Sequence, residues 1–182
     1  PERFFNMGIS EQDMVGTAAG LSLTDKLPFA STFAIFETGR AWEQIRQTLC
    51  YPRLNVKLVA THGGITVGED GASHQALEDI ALMRVLPEMT VIVPADGLET
   101  EQVINAIADY NGPVYVRLGR SKVPMLMPED YIFRLGRAHV FHIGKDANII
   151  ASGIMVNEAI KAREVLGERG IDAGVINMPT IK

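Results

Sequence analysis

Apolar positions along the chain follow two alternating rhythms. Short continuous runs at Pro28–Phe33, Val56–Ala60, Thr90–Val93 and Pro113–Leu118 read as buried strands. Between them apolar residues recur at helical spacing, predicting helices over about 11–22, 39–50 and 74–86, the last stopped by Pro87. Ser10 and Asp13 resemble a capping pair for the first helix, where Gly16, Ala18, Ala19 and Gly20 would allow close approach of another backbone. A further helix opens on the pair Asp96 and Glu99, carries Val103, Ile104 and Ile107 on one face, and ends near Gly112. Strands separated by helices predict an α/β fold, a doubly wound and mostly parallel sheet covered on both faces.

The rhythm breaks over 121–131, where Pro124, Pro128 and the lack of any period suggest a linker. It then restarts with strands at 137–142 and 147–151 around a Gly144-Lys145-Asp146 turn, a helix over about 155–169 and a strand over 173–177. The expected organisation is one domain over 1–120 and part of a smaller α/β domain over 132–182. There is no initiator Met, and the last strand stops just before the chain does. Both ends, including the first domain's opening strand and helix, are therefore expected to be incomplete.

Composition narrows the class. A formal net charge of −5 argues against broad electrostatic binding to nucleic acid or anionic membrane, while leaving room for a local basic site. The single cysteine, Cys50, cannot form an internal disulfide. No apolar run approaches the roughly 20 residues that cross a bilayer. A reducing, cytoplasmic setting is the expectation.

Chemistry concentrates in segment 61–75, which packs four glycines, two histidines and two acids directly after a buried strand. Loops at the carboxyl ends of parallel strands are where α/β folds place their sites. From composition alone the segment reads equally as a glycine-rich surface turn. His62 and His74 stand twelve residues apart with no close-spaced partner ligand, so a metal site is not expected here.

Four motifs point to a family. Thr61-His62 through Gly68-Glu69-Asp70-Gly71 to His74-Gln75 resembles a signature of transketolases. The segment from Asn6 to Gln12 resembles that family's cofactor-glutamate segment, and Ser31 to Phe36 its aromatic pyrimidine pocket. Gly119-Arg120, after a strand, resembles its phosphate arginine. The motifs occur in the family's order, and the likeness runs through almost the whole chain.

The resemblance implies a thiamine-diphosphate-dependent enzyme, of dimer or heterotetramer form, whose cofactor lies between two domains. This chain resembles the domain that holds the aminopyrimidine. The diphosphate and its divalent metal, Mg or Ca, would be held by a partner domain or subunit, because the family's Gly-Asp-Gly metal triplet is absent. Glu11 would bond the pyrimidine ring nitrogen and make the cofactor's own amino group basic enough to take the thiazolium proton. Phe33 and Phe36 would stack on and flank the ring, while Gly39 stands where a third aromatic is common, leaving the pocket open or filled by a side chain such as Trp42. Asp70 and His74 would contact substrate hydroxyls and the carbonyl oxygen. His62 and Arg120 would bind a sugar phosphate, where an arginine fork suits bidentate contact. His139 and His142 lie outside every motif and read as structural or solvated.

The implied activity is transfer of a two-carbon ketol unit between sugar phosphates, a reaction of carbohydrate metabolism. Alternatives are 1-deoxyxylulose-5-phosphate synthase, which typically has arginine where Phe36 stands, the β subunit of a 2-oxo acid dehydrogenase, and a non-catalytic assembly relative.

Overall fold

The computed structural model describes residues 2–182. Contacts divide them into unit 1, residues 2–90 with Asn111–Arg120, and unit 2, Val91–Tyr110 with Ser121–Lys182.

Unit 1 opens with helix α1 (Glu11–Ser22), strand β1 (Phe29–Ala30) and helix α2 (Ala34–Arg40). A short α3 (Trp42–Gln44) then widens into a π-helical turn, Ile45–Cys50. Strand β2 (Lys57–Ala60) leads into two 3₁₀ turns, Gly68–Asp70 and Ala72–His74, and helix α4 (Asp79–Val85) follows. Strand β3 (Thr90–Ile92) and helix α5 (Gly97–Asp109) precede β4 (Val114–Arg117) in the chain. Strands β1, β2 and β4 run parallel, with Ala30 opposite Leu58 and Leu58 opposite Tyr115. Their fully buried apolar side chains include Leu58, Val114 and Val116, which explains the continuous apolar runs. Lys57 interrupts one such run. Its ammonium is buried, donating to Asn55 Oδ1 (2.5 Å) and the Gly112 carbonyl (2.8 Å), and burial lowers its pKa to about 8.

The parallel register brings the segments after β1, β2 and β4 to one edge. Phe33 bridges to Thr61, and the Gly63 N–H donates to the Leu118 carbonyl at 2.9 Å. Phe33, His62 and Arg120 all follow strands that end at this edge.

Several sequence expectations need correction. Ser10 precedes α1 but makes no side-chain cap bond. On α1, Val15, Ala18 and Ala19 face inward, whereas a methyl group added at Gly16 or Gly20 would meet nothing within 4 Å. The helix expected from 39 instead begins at Ala34 and breaks at Ala41. The helix expected from 74 begins only at Asp79, because Gln75 is extended. The strand read over 28–33 is regular only at Phe29–Ala30.

Unit 2 holds the rest of β3, then α5, β5 (His139–His142), β6 (Ala147–Ala151), α6 (Met155–Glu168) and β7 (Ala173–Asn177). Its second sheet has the order β5-β7-β6, with β7 parallel to β6 and antiparallel to β5. Asp96 caps α5 by accepting from the Glu99 N–H at 2.8 Å, as the pair in the sequence indicates. Its other oxygen accepts from the Leu126 and Met127 N–H groups. Glu99 is fully buried and accepts from the Tyr131 hydroxyl (2.6 Å) and Asn177 Nδ2 (2.9 Å). Residues 121–137 contain no helix or strand, yet these bonds pin them to α5. His142 pairs with Asp172 at 2.9 Å, and His139 packs edge-on against Tyr131 and Phe141.

Candidate active site

The candidate site lies wholly within unit 1. Glu11 is the first residue of α1, where a carboxylate is favourable against the helix dipole. Its side chain is 7% exposed, and both oxygens accept from Arg40 Nη1, at 3.3 and 3.2 Å. The Arg40 guanidinium also stands 4.1 Å above the centre of the Phe36 ring.

Four rings form the wall beside this pair. Phe33 and Phe36, one helical turn apart at the start of α2, are near parallel, with centres 6.0 Å apart. The other face of the wall comes from the glycine-rich loop. His62 adopts a left-handed backbone (φ 61°), rare for a residue with a side chain, and its ring stacks on Phe33 at 3.6 Å. His74 meets Phe36 edge-on at 5.2 Å and Phe33 at 6.2 Å. Thr61 and Ser73 hydroxyls bond the Nδ1 atoms of His62 and His74, fixing both imidazoles through one nitrogen and leaving the other for a ligand.

The loop is glycine-rich for a steric reason. A methyl group added at Gly63 would sit 2.7 Å from Arg117 Nε, so Arg117 can cross the loop only over glycine. Beneath it lies a buried network. Asp79 Oδ2 accepts from Arg117 Nε at 2.7 Å and from the Tyr115 hydroxyl at 2.8 Å. Burial raises the Tyr115 pKa, and the charge of Asp79 and its hydrogen bond raise it further.

Glu37 is also fully buried, on α2, and neither of its carboxyl oxygens has a hydrogen-bond partner among the described residues. Burial therefore pushes its pKa well above the ordinary carboxyl range. The folded state keeps this proton at pH values where the unfolded chain has lost it. The stability linked to Glu37 is thus fully present below its unfolded pKa and is lost as pH rises through the folded value. Glu37→Gln should flatten that decline, so the variant's melting temperature falls less than the parent's between about pH 5 and pH 8. Parallel melting curves over that range would show that Glu37 is ionised in the fold.

The remaining two expected residues pair with each other. Arg120 Nη1 lies 3.2 Å from Asp70 Oδ2 and donates to the Val67 carbonyl, with Asp70 and Arg120 both partly exposed. The structure thus joins Phe33, Phe36, His62 and His74 in one wall and links Glu11 to it through Arg40. Asp70 and Arg120 form a second group. A methyl group at Gly39 would meet nothing within 4 Å, and Trp42 points its indole N–H at the Leu82 carbonyl (3.1 Å) instead of filling that space. Arg40, Glu37, Asp79, Tyr115 and Arg117 were not singled out from the sequence. The available signals were a charged residue (Glu37) on the buried stripe Ala34, Glu37, Thr38 and another (Arg117) closing the apolar strand Val114–Val116. Among the described residues no cluster of His, Cys, Asp and Glu could hold a metal ion, and no helix is long and apolar enough to cross a membrane.

A parallel sheet with a buried helix-terminal carboxylate, an aromatic wall and paired charges at its carboxyl edge defines an α/β protein whose candidate site lies where such folds place their sites. Comparison with known proteins gives the family. Residues 1–125 match the transketolase pyrimidine-binding domain and residues 136–182 the transketolase C-terminal domain, so the chain belongs to the transketolase family. It is 54% identical to a putative transketolase C-terminal section of Methanocaldococcus jannaschii, over all of this chain and 58% of that protein. It is 40% identical to an apulose-4-phosphate transketolase subunit of Phocaeicola vulgatus, again over all of this chain and 59% of that one. Among solved structures, a split-gene transketolase described as an inactive β4 tetramer superimposes with a TM-score of 0.91 at 54% identity, covering 99% of this chain and 58% of that one. The chain thus spans little more than half the length of these relatives.

Proposed function

We propose that this chain provides the aminopyrimidine half of a thiamine-diphosphate site and transfers a two-carbon ketol unit between sugar phosphates in complex with a diphosphate-binding partner. The observation that carries the reading is the buried carboxylate of Glu11 beside the parallel rings of Phe33 and Phe36. A buried acid and a flat apolar wall are the chemistry an aminopyrimidine needs, so the residues present fit the group. When bound, thiamine diphosphate supplies the acidic thiazolium carbon that accepts the ketol unit.

The chain's own residues do the rest. Glu11 holds the proton at the pyrimidine ring nitrogen, and Phe33 and Phe36 orient the ring and exclude water. Asp70 and His74 bond the substrate's hydroxyl and carbonyl oxygens, and His62 and Arg120 bind its phosphate, each imidazole having one nitrogen left for a ligand. The divalent metal belongs to the partner, because the family's Gly-Asp-Gly triplet is absent here, and the need for a second subunit is supported by the description of the split-gene relative as an inactive tetramer of one subunit type. On this reading residues 1–120 form the pyrimidine-binding domain, 121–131 the linker and 132–182 part of the C-terminal domain, in a cytoplasmic homodimer or heterotetramer.

Arg120 tests the substrate class. A charge-assisted bond to phosphate contributes roughly 1.5–3 kcal/mol, about ten- to a hundredfold. Arg120→Ala in the assembled enzyme should weaken use of phosphorylated donors by about that factor and spare hydroxypyruvate, which has no phosphate. Equal losses for both donors would make Arg120 a structural partner of Asp70 and remove the phosphate assignment.

A further inference from the structure

Arg40 stands between the two groups that the proposed cofactor requires. Its Nη1 reaches both oxygens of Glu11, and its Cζ lies 4.1 Å over the Phe36 ring. An aminopyrimidine needs the same carboxylate for its ring nitrogen and a ring face for stacking. A face covered by a guanidinium at that distance has no room for a second flat group. We propose that Arg40 is a positioning residue that competes with the pyrimidine, so that cofactor binding is an exchange of partners at Glu11 and Phe36. This rests on the cofactor reading above and adds to it a determinant of affinity.

The contact is built to be surrendered. A single nitrogen is shared between two oxygens at 3.3 and 3.2 Å, longer than the usual charge-assisted bond. Arg40 is 49% exposed, so water takes over its solvation when it leaves. The space at Gly39, where an added methyl group meets no atom within 4 Å, lets the side chain swing aside.

The test uses the full-length chain assembled with its diphosphate-binding partner. Thiamine diphosphate affinity is measured by calorimetry, and its association is followed by the fluorescence change that a Trp42→Phe assembly lacks, Trp42 standing two residues from Arg40. Arg40→Met keeps the apolar stem and removes the competing charge. Its Kd should fall about two- to tenfold and association should quicken. Arg40→Lys, which keeps a charge but not the flat fork, should lie between Arg40→Met and the parent. An unchanged Kd in Arg40→Met would make the contact incidental, and a raised Kd would make Arg40 a holder of the cofactor; either overturns the proposal. If the parent assembly binds no thiamine diphosphate, the cofactor reading falls and this inference with it. If the parent binds and Arg40→Met binds no tighter, this inference alone falls.

Discussion

Replacing Glu11 with Gln in the assembled enzyme is expected to lower turnover by about 10²–10⁴-fold, the usual consequence of losing a positioned acid–base group. Amide and carboxyl have the same shape, so the aromatic wall and the helix start are preserved. The fold loses little. The partner of Glu11 among the described residues is the half-exposed Arg40, and exposed ion pairs contribute under about 1 kcal/mol. A large kinetic loss at nearly constant melting temperature therefore separates a chemical role from a structural one. Steady-state kinetics and thermal melts on the same preparation check both halves of the expectation. A turnover within about twofold of the parent would leave Glu11 as no more than a helix-terminal charge.

Asp79→Ala should show the opposite balance, a large structural loss. The carboxylate is buried and accepts from both the Tyr115 hydroxyl and Arg117 Nε. Truncation leaves a phenol and a mostly buried guanidinium without their acceptor. Removing one member of a buried charged pair costs about 3–5 kcal/mol, which for a chain of this size lowers the melting temperature by about 6–20 °C. Because Arg117 crosses Gly63 and Gly64, next to His62, the disturbance also reaches the glycine-rich loop. Asp79→Asn, which keeps an acceptor oxygen, should lose less. A drop below about 1 kcal/mol in Asp79→Ala would mean that Arg117 finds water in place of the carboxylate.

These two residues show what the sequence made legible and what it hid. Regular elements with local signals were readable. The expected bounds of α1, β6 and β7 match those observed, and Asp96 caps α5 through Glu99 as the spacing indicates. Glu11, Phe33 and Phe36 could be singled out because each lies in a short motif. The Asp79–Tyr115–Arg117 network could not, because its members lie on two elements more than thirty residues apart and meet only through packing. The late start of α4 was hidden for a related reason. Its expected first turn, from His74, is bent into 3₁₀ and extended conformations that turn His74 toward Phe36. Arg40 was missed because an arginine near a helix end ordinarily reads as solvated, and only the fold brings α1 close enough for Glu11 to reach it.

On the proposed reading, Glu11 activates a bound aminopyrimidine. The most direct measurement is hydrogen–deuterium exchange at the thiazolium carbon of thiamine diphosphate bound to the assembled enzyme, compared between parent and Glu11→Gln. Exchange should slow in the variant by about the same 10²–10⁴-fold as turnover. Equal exchange rates in the two proteins would contradict that role for Glu11.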